Sequence, residues 1–385
     1  MNEPVNQVQP VLAVDLDGTL LRGDVFGESL VRFLLPAPWR IGTVIRWLVQ
    51  GGRPWAKARL AERLEFDGAV LPWNEAVVNF CEARAAQGWL VVVATASNED
   101  AARSLTRHFP FVSRVLGSDD RRNLKADEKA KRLCAEFGAA GFEYVGDSKA
   151  DLVVWTAAAR AWFVGTEGRR QAFARVLGKP LETVGVSQRA GLSSLIGALR
   201  PHQWLKNLLV FVPLLTAHRW SDVSCWGQLL PVFVALCFMA SAAYLVNDLA
   251  DLDSDRRHPR KKLRPLASGK LSLPIGLAAV FILLAAGAGL AAISGSAALG
   301  ATVGYFVLSV LYSLLLKTFP VVDVIYLSGL YTYRMVLGGI AGSIMISPWL
   351  LAFSTTFFLG LAFLKRYVEL DEMPAARTKL MSEGR

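Results

Sequence analysis

The run Tyr244-Leu245-Val246-Asn247-Asp248-Leu249-Ala250-Asp251-Leu252-Asp253-Ser254-Asp255 decides the fold of the second half of the chain. It leaves an apolar stretch and presents carboxylates at i, i+3 and i+7 (Asp248, Asp251, Asp255), which share one face if the helix continues. Acids at the end of an apolar span are costly unless cations bridge them. A divalent ion such as Mg²⁺ held there would grip a diphosphate and stabilise it as a leaving group. Asp253 falls off that face. The bases that follow at once, Arg256, Arg257, Arg260, Lys261, Lys262 and Arg264, suit further phosphate oxygens. A polar helix end with no ligand is the plainer alternative.

Apolar text flanks this run on both sides. We read six spans, roughly 205–216, 229–247, 274–293, 297–316, 321–342 and 348–364, most of them near the ~20 residues that cross a bilayer. The loop Asp251–Lys270 carries seven bases, Lys317 lies in the next even-numbered loop, and Lys365 and Arg366 follow the last span. The odd-numbered loops are nearly uncharged, so the positive-inside bias puts the basic loops and the amino-terminal half on the cytoplasmic face of a cell membrane. Composition agrees: 53% of the 385 residues are hydrophobic and 19% charged, yet the net charge is +10. Bases gathered on one side of apolar spans suit lipid headgroups and phosphates, not nucleic acid. Four scattered cysteines (Cys81, Cys134, Cys225, Cys237) give no CxxC spacing, hence neither a zinc site nor a disulfide framework. The polar start, Met1–Pro10, does not read as a cleavable signal peptide.

Up to about Gly185 the text is different. Short apolar runs at Val11–Leu16, Leu90–Ala94 and Tyr144–Val145 alternate with helical stretches and end at polar turns, the pattern of an α/β domain with a parallel sheet. In Val11-Leu12-Ala13-Val14-Asp15-Leu16-Asp17-Gly18-Thr19-Leu20 a buried strand runs into two carboxylates two residues apart, pointing the same way. Such a pair divides labour, one acid attacking phosphorus and the other moving protons, with a hard cation offsetting the charge. The insert Asp24–Gly88 is placed like a helical cap. Its stretch Leu34–Trp55 mixes Trp39, Trp47 and Trp55 with Arg40, Arg46 and Arg53; a helix at the membrane surface and an ordinary cap core both fit.

The DxDGT run resembles the first motif of the haloacid dehalogenase (HAD) superfamily, and three further parts follow in that family's order over residues 11–165. Thr95 (alternate Ser97) matches the phosphoryl-binding hydroxyl. Lys129 (alternate Lys125) matches the neutralising lysine. Gly146-Asp147-Ser148-Lys149-Ala150-Asp151 matches the metal motif. The resemblance implies a Rossmann-like phosphatase domain with a helical cap. Asp15 would be the nucleophile, Asp17 the general acid/base, and both would touch Mg²⁺, with Asp147 a direct ligand and Asp151 a supporting one. A decayed copy kept as a scaffold is the competing reading.

The NDxxDxxxD run resembles the first aspartate motif of the UbiA prenyltransferase superfamily, an all-α transmembrane bundle. The run Arg200-Pro201-His202-Gln203-Trp204-Leu205-Lys206-Asn207 and the later Lys365-Arg366-Tyr367-Val368-Glu369-Leu370 look like its decaprenyl-phosphate phosphoribosyltransferase branch. That branch transfers phosphoribose from phosphoribosyl pyrophosphate to a polyprenyl phosphate. The resemblance implies Mg²⁺ and donor diphosphate on Asp248, Asp251 and Asp255, beside Asn247. Phosphates would sit on Lys206, Lys262 and Arg264, with Lys365, Arg366 and Glu369 opposite. Tyr312, Lys317, Asp323 and Arg334 fit packing or ligand contact equally. The superfamily's prenyltransferases have nine spans, so six imply a carboxyl-terminally truncated bundle. The expected organisation is a hydrolase-like domain at 1–186 with its cap at 24–88, a linker at 187–199 and a membrane domain at 200–385. The two rivals are an aromatic-acceptor prenyltransferase joined to an unrelated phosphatase, and a non-catalytic membrane tether.

Overall fold

Val11–Val14, buried throughout, is the central strand β1 in the computed structural model of the chain, which describes residues 9–63, 67–119, 124–185, 191–317 and 319–382. It lies in a six-stranded parallel sheet with β2 (Leu90–Asn98), β3 (Val112–Ser118), β4 (Phe142–Gly146), β5 (Arg160–Val164) and β6 (Leu181–Gly185), in the order β3-β2-β1-β4-β5-β6. The order reverses at β1, and the crevice outside the carboxyl ends of β1 and β4 is where such sheets bind ligands. Strand alternation divides the core. Leu12 and Val14 face one layer with Val93, Val145 and helical Val77, Cys81 and Leu105; Val11 and Ala13 face the other with Tyr144, Leu133 and Trp155.

The covering helices are α1 (Val25–Leu34), α2 (Ile41–Ala61), α3 (Glu75–Ala86), α4 (Glu99–Thr106), α5 (Asp127–Phe137), α6 (Leu152–Ala157) and α7 (Glu167–Leu177). The insert expected as a cap is helical, but α3 is not part of it: Val77 and Cys81 of α3 are fully buried in the sheet's own core. Strands β3, β5 and β6 escaped the sequence reading because Arg114, Arg160, Glu182 and Thr183 break their apolar runs. Helix α2 is broken in the middle, where Gly52 adopts φ 69°, ψ −164° just before Pro54. Glycine alone takes that backbone without strain.

This sheet unit comprises Met1–Leu195 and also Asp251–Gly276; a second unit comprises Ile196–Ala250 and Leu277–Arg385. The chain continues through α8 (Leu192–Leu199), α9 (Val212–Thr216), α10 (Val223–Ala250), α11 (Leu252–Arg257), α12 (Leu273–Ile293), α13 (Ser296–Leu311), α14 (Pro320–Ala341) and α15 (Pro348–Ser382). In the helical unit, α10 packs Cys225, Leu229, Val232, Leu236 and Met239 on one stripe, against Ala298 and Tyr305 of α13 and Leu330 and Leu337 of α14. Gly338 admits close contact, since a Cβ there would stand 1.9 Å from the Val210 carbonyl oxygen.

Where six spans were expected, four helices among the described residues are long and apolar enough to cross a membrane: Val223–Ala250, Leu273–Ile293, Ser296–Leu316 and Pro348–Val368. The first expected span is instead a 3₁₀ helix, Pro201–Phe211, followed by the five-residue α9, with Pro213 near its start. The fifth forms the 22-residue helix α14, but Asp323, Arg334, three tyrosines and three glycines dilute its apolar text.

Candidate functional site

Asp15 emerges at the carboxyl end of β1, its N–H bonded to the Val145 carbonyl at 3.0 Å. Parallel pairing of β1 with β4 thus sets it beside the turn that carries Asp147 and Asp151. Ligand oxygens of Asp15, Asp147 and Asp151 lie within 4.8 Å of one another, and all three residues are buried. From the opposite layer α5 sends in Lys129, whose Nζ donates to Asp15 Oδ1 at 2.8 Å and to Tyr144 Oη at 3.0 Å. Tyr144 in turn donates to Asp151 Oδ1 at 2.7 Å. Three of the four motifs, far apart in sequence, therefore meet in one buried network.

Electrostatics follow from burial. Desolvation pushes the Asp15 carboxyl up to about 8; Lys129 opposes this, while Asp151 and Asp147 add to it. Burial works against the Lys129 charge, yet Asp15 and Asp151 outweigh it and hold the ammonium above its ordinary range. Burial and the neighbouring acids raise Tyr144 well above a free phenol, so its hydroxyl stays a donor. Three buried acids against one lysine leave a surplus of negative charge, and an all-oxygen donor set of this kind fits a hard divalent cation. Asp151 already accepts from Tyr144, the Ser148 N–H and hydroxyl, and the Asp147 N–H. It supports; Asp15 and Asp147 are the residues that would hold the ion.

Asp17, expected as a ligand beside Asp15, is not in this group. Its carboxylate accepts the Val25 N–H at the start of α1 (2.8 Å) and the Ser97 hydroxyl (2.6 Å). Ser97 is closer to it than Thr95, whose hydroxyl stands 3.5 Å away and accepts the Ser97 N–H. Asp17 lines a cavity of about 490 Å³ together with Asp24, Lys57, Asn98, Asp119 and Lys125. The sequence alternates Ser97 and Lys125 thus both lie near Asp17. Tyr144 was missed, because a tyrosine inside a buried strand reads as core.

The second acidic run does not form one uninterrupted helical face. α10 ends at Ala250, and Asp251 (φ −87°, ψ 11°) caps the separate short helix α11. Within the helical unit Asp248 accepts from Arg200, 2.6 and 2.8 Å to its two oxygens, and Asn247 accepts from Lys317 at 3.3 Å. Within the sheet unit Asp255 accepts from Arg264 at 2.6 Å. Its other oxygen is buried with no hydrogen-bond partner among the described residues, which suits a cation there. Lys262 is exposed on a 3₁₀ turn. Arg366 lies 3.9 Å from Asp323, which also accepts the Tyr312 hydroxyl at 2.5 Å. Lys365 is exposed on α15, and the side chain of Glu369 lies outside the described residues.

Inside the helical unit a cavity of about 100 Å³ is lined by Lys206, Tyr244, Tyr305, Tyr312, Tyr331 and Arg334 among others. Arg334 is buried and donates to Asn207 (3.0 Å), Tyr305 (2.6 Å) and the Leu330 carbonyl (2.8 Å). Two cations beside tyrosine hydroxyls in an apolar bundle make an anion-binding environment.

Comparison with known proteins fits these features. Residues 208–378 match the UbiA prenyltransferase family. The uncharacterized protein y4nM of Sinorhizobium fredii is 34% identical over 360 residues, 93% of this chain and 69% of its own, a similarity that takes in the sheet as well as the helices. Nodulation protein NoeC of Azorhizobium caulinodans is 41% identical over 176 residues (46% of this chain, 57% of its own). Decaprenyl-phosphate phosphoribosyltransferase of Corynebacterium glutamicum is 38% identical over 182 residues (46% and 54%). The chain thus spans little more than half the length of these last two. An apolar helical unit with cation-lined polar sites, matched over most of its length, leads to one assignment: residues 208–378 form a domain of the UbiA prenyltransferase family, built on helices long and apolar enough to cross a membrane.

Proposed function

We propose that the helical unit transfers phosphoribose from phosphoribosyl pyrophosphate to a polyprenyl phosphate, and that the sheet unit is a HAD-type phosphatase that removes the sugar phosphate from the product. The carrying observation for transfer is the cavity lined by Lys206 and the buried Arg334, a cationic site suited to a phosphate-bearing substrate. Relatives named decaprenyl-phosphate phosphoribosyltransferase support the same substrate class. On this reading Asp248, Asp251 and Asp255 hold Mg²⁺ and the donor diphosphate, and Lys262, Arg264, Lys365, Arg366 and Glu369 add phosphate contacts.

For the phosphatase, an Asp15 oxygen attacks phosphorus while the sugar oxygen departs and takes a proton from Asp17. Water, giving its proton back to Asp17, then attacks the aspartyl phosphate and frees inorganic phosphate and Asp15. Lys129 stabilises the anionic oxygens and keeps Asp15 oriented. Mg²⁺ on Asp15 and Asp147 would neutralise charge shared between carboxylates and phosphate. The domain organisation expected from the text, 1–186 and 200–385, belongs to this proposal, as does a cytoplasmic placement of both sites.

Membranes containing the chain, given Mg²⁺ and phosphoribosyl pyrophosphate labelled in the ribose, are expected to move label into the lipid phase. Label that stays in water, with an aromatic acceptor prenylated instead, would establish the rival prenyltransferase reading.

A further inference from the structure

The first half of α2 has two apolar faces, and among the described residues only one has a partner. Val44 and Trp47 turn inward, Trp47 packing on Phe33 of α1 at 5.3 Å between ring centroids. Ile41, Ile45, Leu48 and Val49, at i, i+4, i+7 and i+8, form a second stripe that stays exposed, Val49 by 81%, and Trp39 just before the helix is 79% exposed. Exposed Arg40 and Arg46 flank the stripe. Helix α2 holds no acidic residue and four bases, Arg46, Arg53, Lys57 and Arg59. An apolar stripe rimmed by bases with no acid is the composition of a helix lying in a membrane interface.

The same unit includes the start of a helix long and apolar enough to cross a membrane. That start is Leu273–Gly276, the first turn of α12. Pro274 is packed so closely on α1 that a Cβ at Gly27 would stand 2.8 Å from Pro274 Cδ. Helix α1, ten residues long, spans only about 15 Å at 1.5 Å per residue, and α2 follows it after a short 3₁₀ turn. The α1–α2 hairpin therefore begins beside the first turn of α12.

We infer that the outer face of α2 docks on the membrane, Trp39, Ile45 and Val49 entering the headgroup boundary and Arg40 and Arg46 pairing with anionic lipid phosphates. The insert over the sheet's cavity is thereby anchored at the lipid surface.

The test uses the full chain with Cys134→Ser, reconstituted in nanodiscs of mixed zwitterionic and anionic lipid and spin-labelled at Val49→Cys. Lys131→Cys, exposed on α5, serves as the aqueous reference. The expected ratio of oxygen to nickel-chelate collision at position 49 is severalfold above that at 131, and it falls when anionic lipid is left out. Ile45→Cys reads the same face if Val49→Cys does not fold. A ratio equal to the reference overturns the inference. So does low access to both reagents, which marks a second copy or another protein on the face. A ratio indifferent to anionic lipid removes the pairing with Arg40 and Arg46 and overturns that assignment.

Discussion

Tyr144 shows how much a single hydroxyl holds. It accepts from Lys129 and donates to Asp151, so it fixes both against the strand that carries it. Tyr144→Phe leaves two buried groups each short of a partner, and leaving such a group unpaired costs about 1–3 kcal/mol. Phosphate release is expected to fall about tenfold, the low end of that range, in kcat more than in KM, since the phenol positions Lys129 and does not line the cavity. An unchanged kcat would remove Tyr144 from the proposed chemistry. Asp15 supplies a second prediction, with a definite sign. An unfolded aspartate loses its proton near pH 4, whereas buried Asp15 keeps it to about 8. Between those values the folded state binds more protons, so stability from this group is full below about pH 4 and is lost as pH rises toward 8. Lys129, held above its ordinary range, stays charged throughout that window. Cation-free protein should melt progressively earlier across it, and Mg²⁺ should restore most at the alkaline end. A melting temperature that rises with pH would mean that Lys129 alone keeps Asp15 ionised.

At the scale of elements, α11 and α1 are joined by a buried ion pair. Arg256 reaches both Glu28 oxygens, at 2.5 and 3.1 Å; Arg32 binds Glu28 as well and reaches Asp253 at 2.5 Å. The Arg256 and Glu28 side chains are 4% and 2% exposed, so removing Glu28 strands the Arg256 charge, at a cost of about 3–5 kcal/mol, and removing Arg256 leaves Glu28 only Arg32. Glu28→Gln or Arg256→Met alone is expected to lower the thermal midpoint of the full chain sharply, and the double variant to recover part of the loss. A double variant as unstable as the sum of the two would show that they act separately. None of this was legible in the text, because Glu28 and Arg256 lie 228 positions apart and each reads as surface charge. What was legible had a local cause. Val11–Val14 is a wholly apolar strand ending in acids, and Asp15, Lys129 and Asp147 stand in motif order along a sheet that brings their turns together. Asp17 was misjudged because strand alternation stops at Asp15, where the chain turns, and the carboxylate goes to the start of α1. The uninterrupted face of Asp248, Asp251 and Asp255 failed for a similar reason: a period of 3.6 foresees a helix, but not its break at Asp251.

At the scale of the whole molecule, one chain joins a cation-lined membrane cavity to a buried carboxylate–lysine cluster, and the similarity to y4nM runs through both. Joining two activities matters when the first makes what the second consumes, because tethering raises the effective concentration of the intermediate. Transfer of phosphoribose to a lipid phosphate leaves one phosphate on the sugar, and a phosphatase on the same chain would meet it first. The expected behaviour separates the two sites. Asp15→Asn retains the carboxylate's shape without its charge, so membranes bearing it should still move labelled ribose into lipid, but should accumulate a product heavier by one phosphate. Asp248→Asn, which weakens the contact with Arg200, should stop label from reaching lipid in either background. Mass spectrometry of the extracted lipid distinguishes the outcomes. If Asp15→Asn membranes yield the same dephosphorylated lipid as the parent, the sheet unit acts on some other phosphate and the coupling fails, while transfer by the helical unit stands.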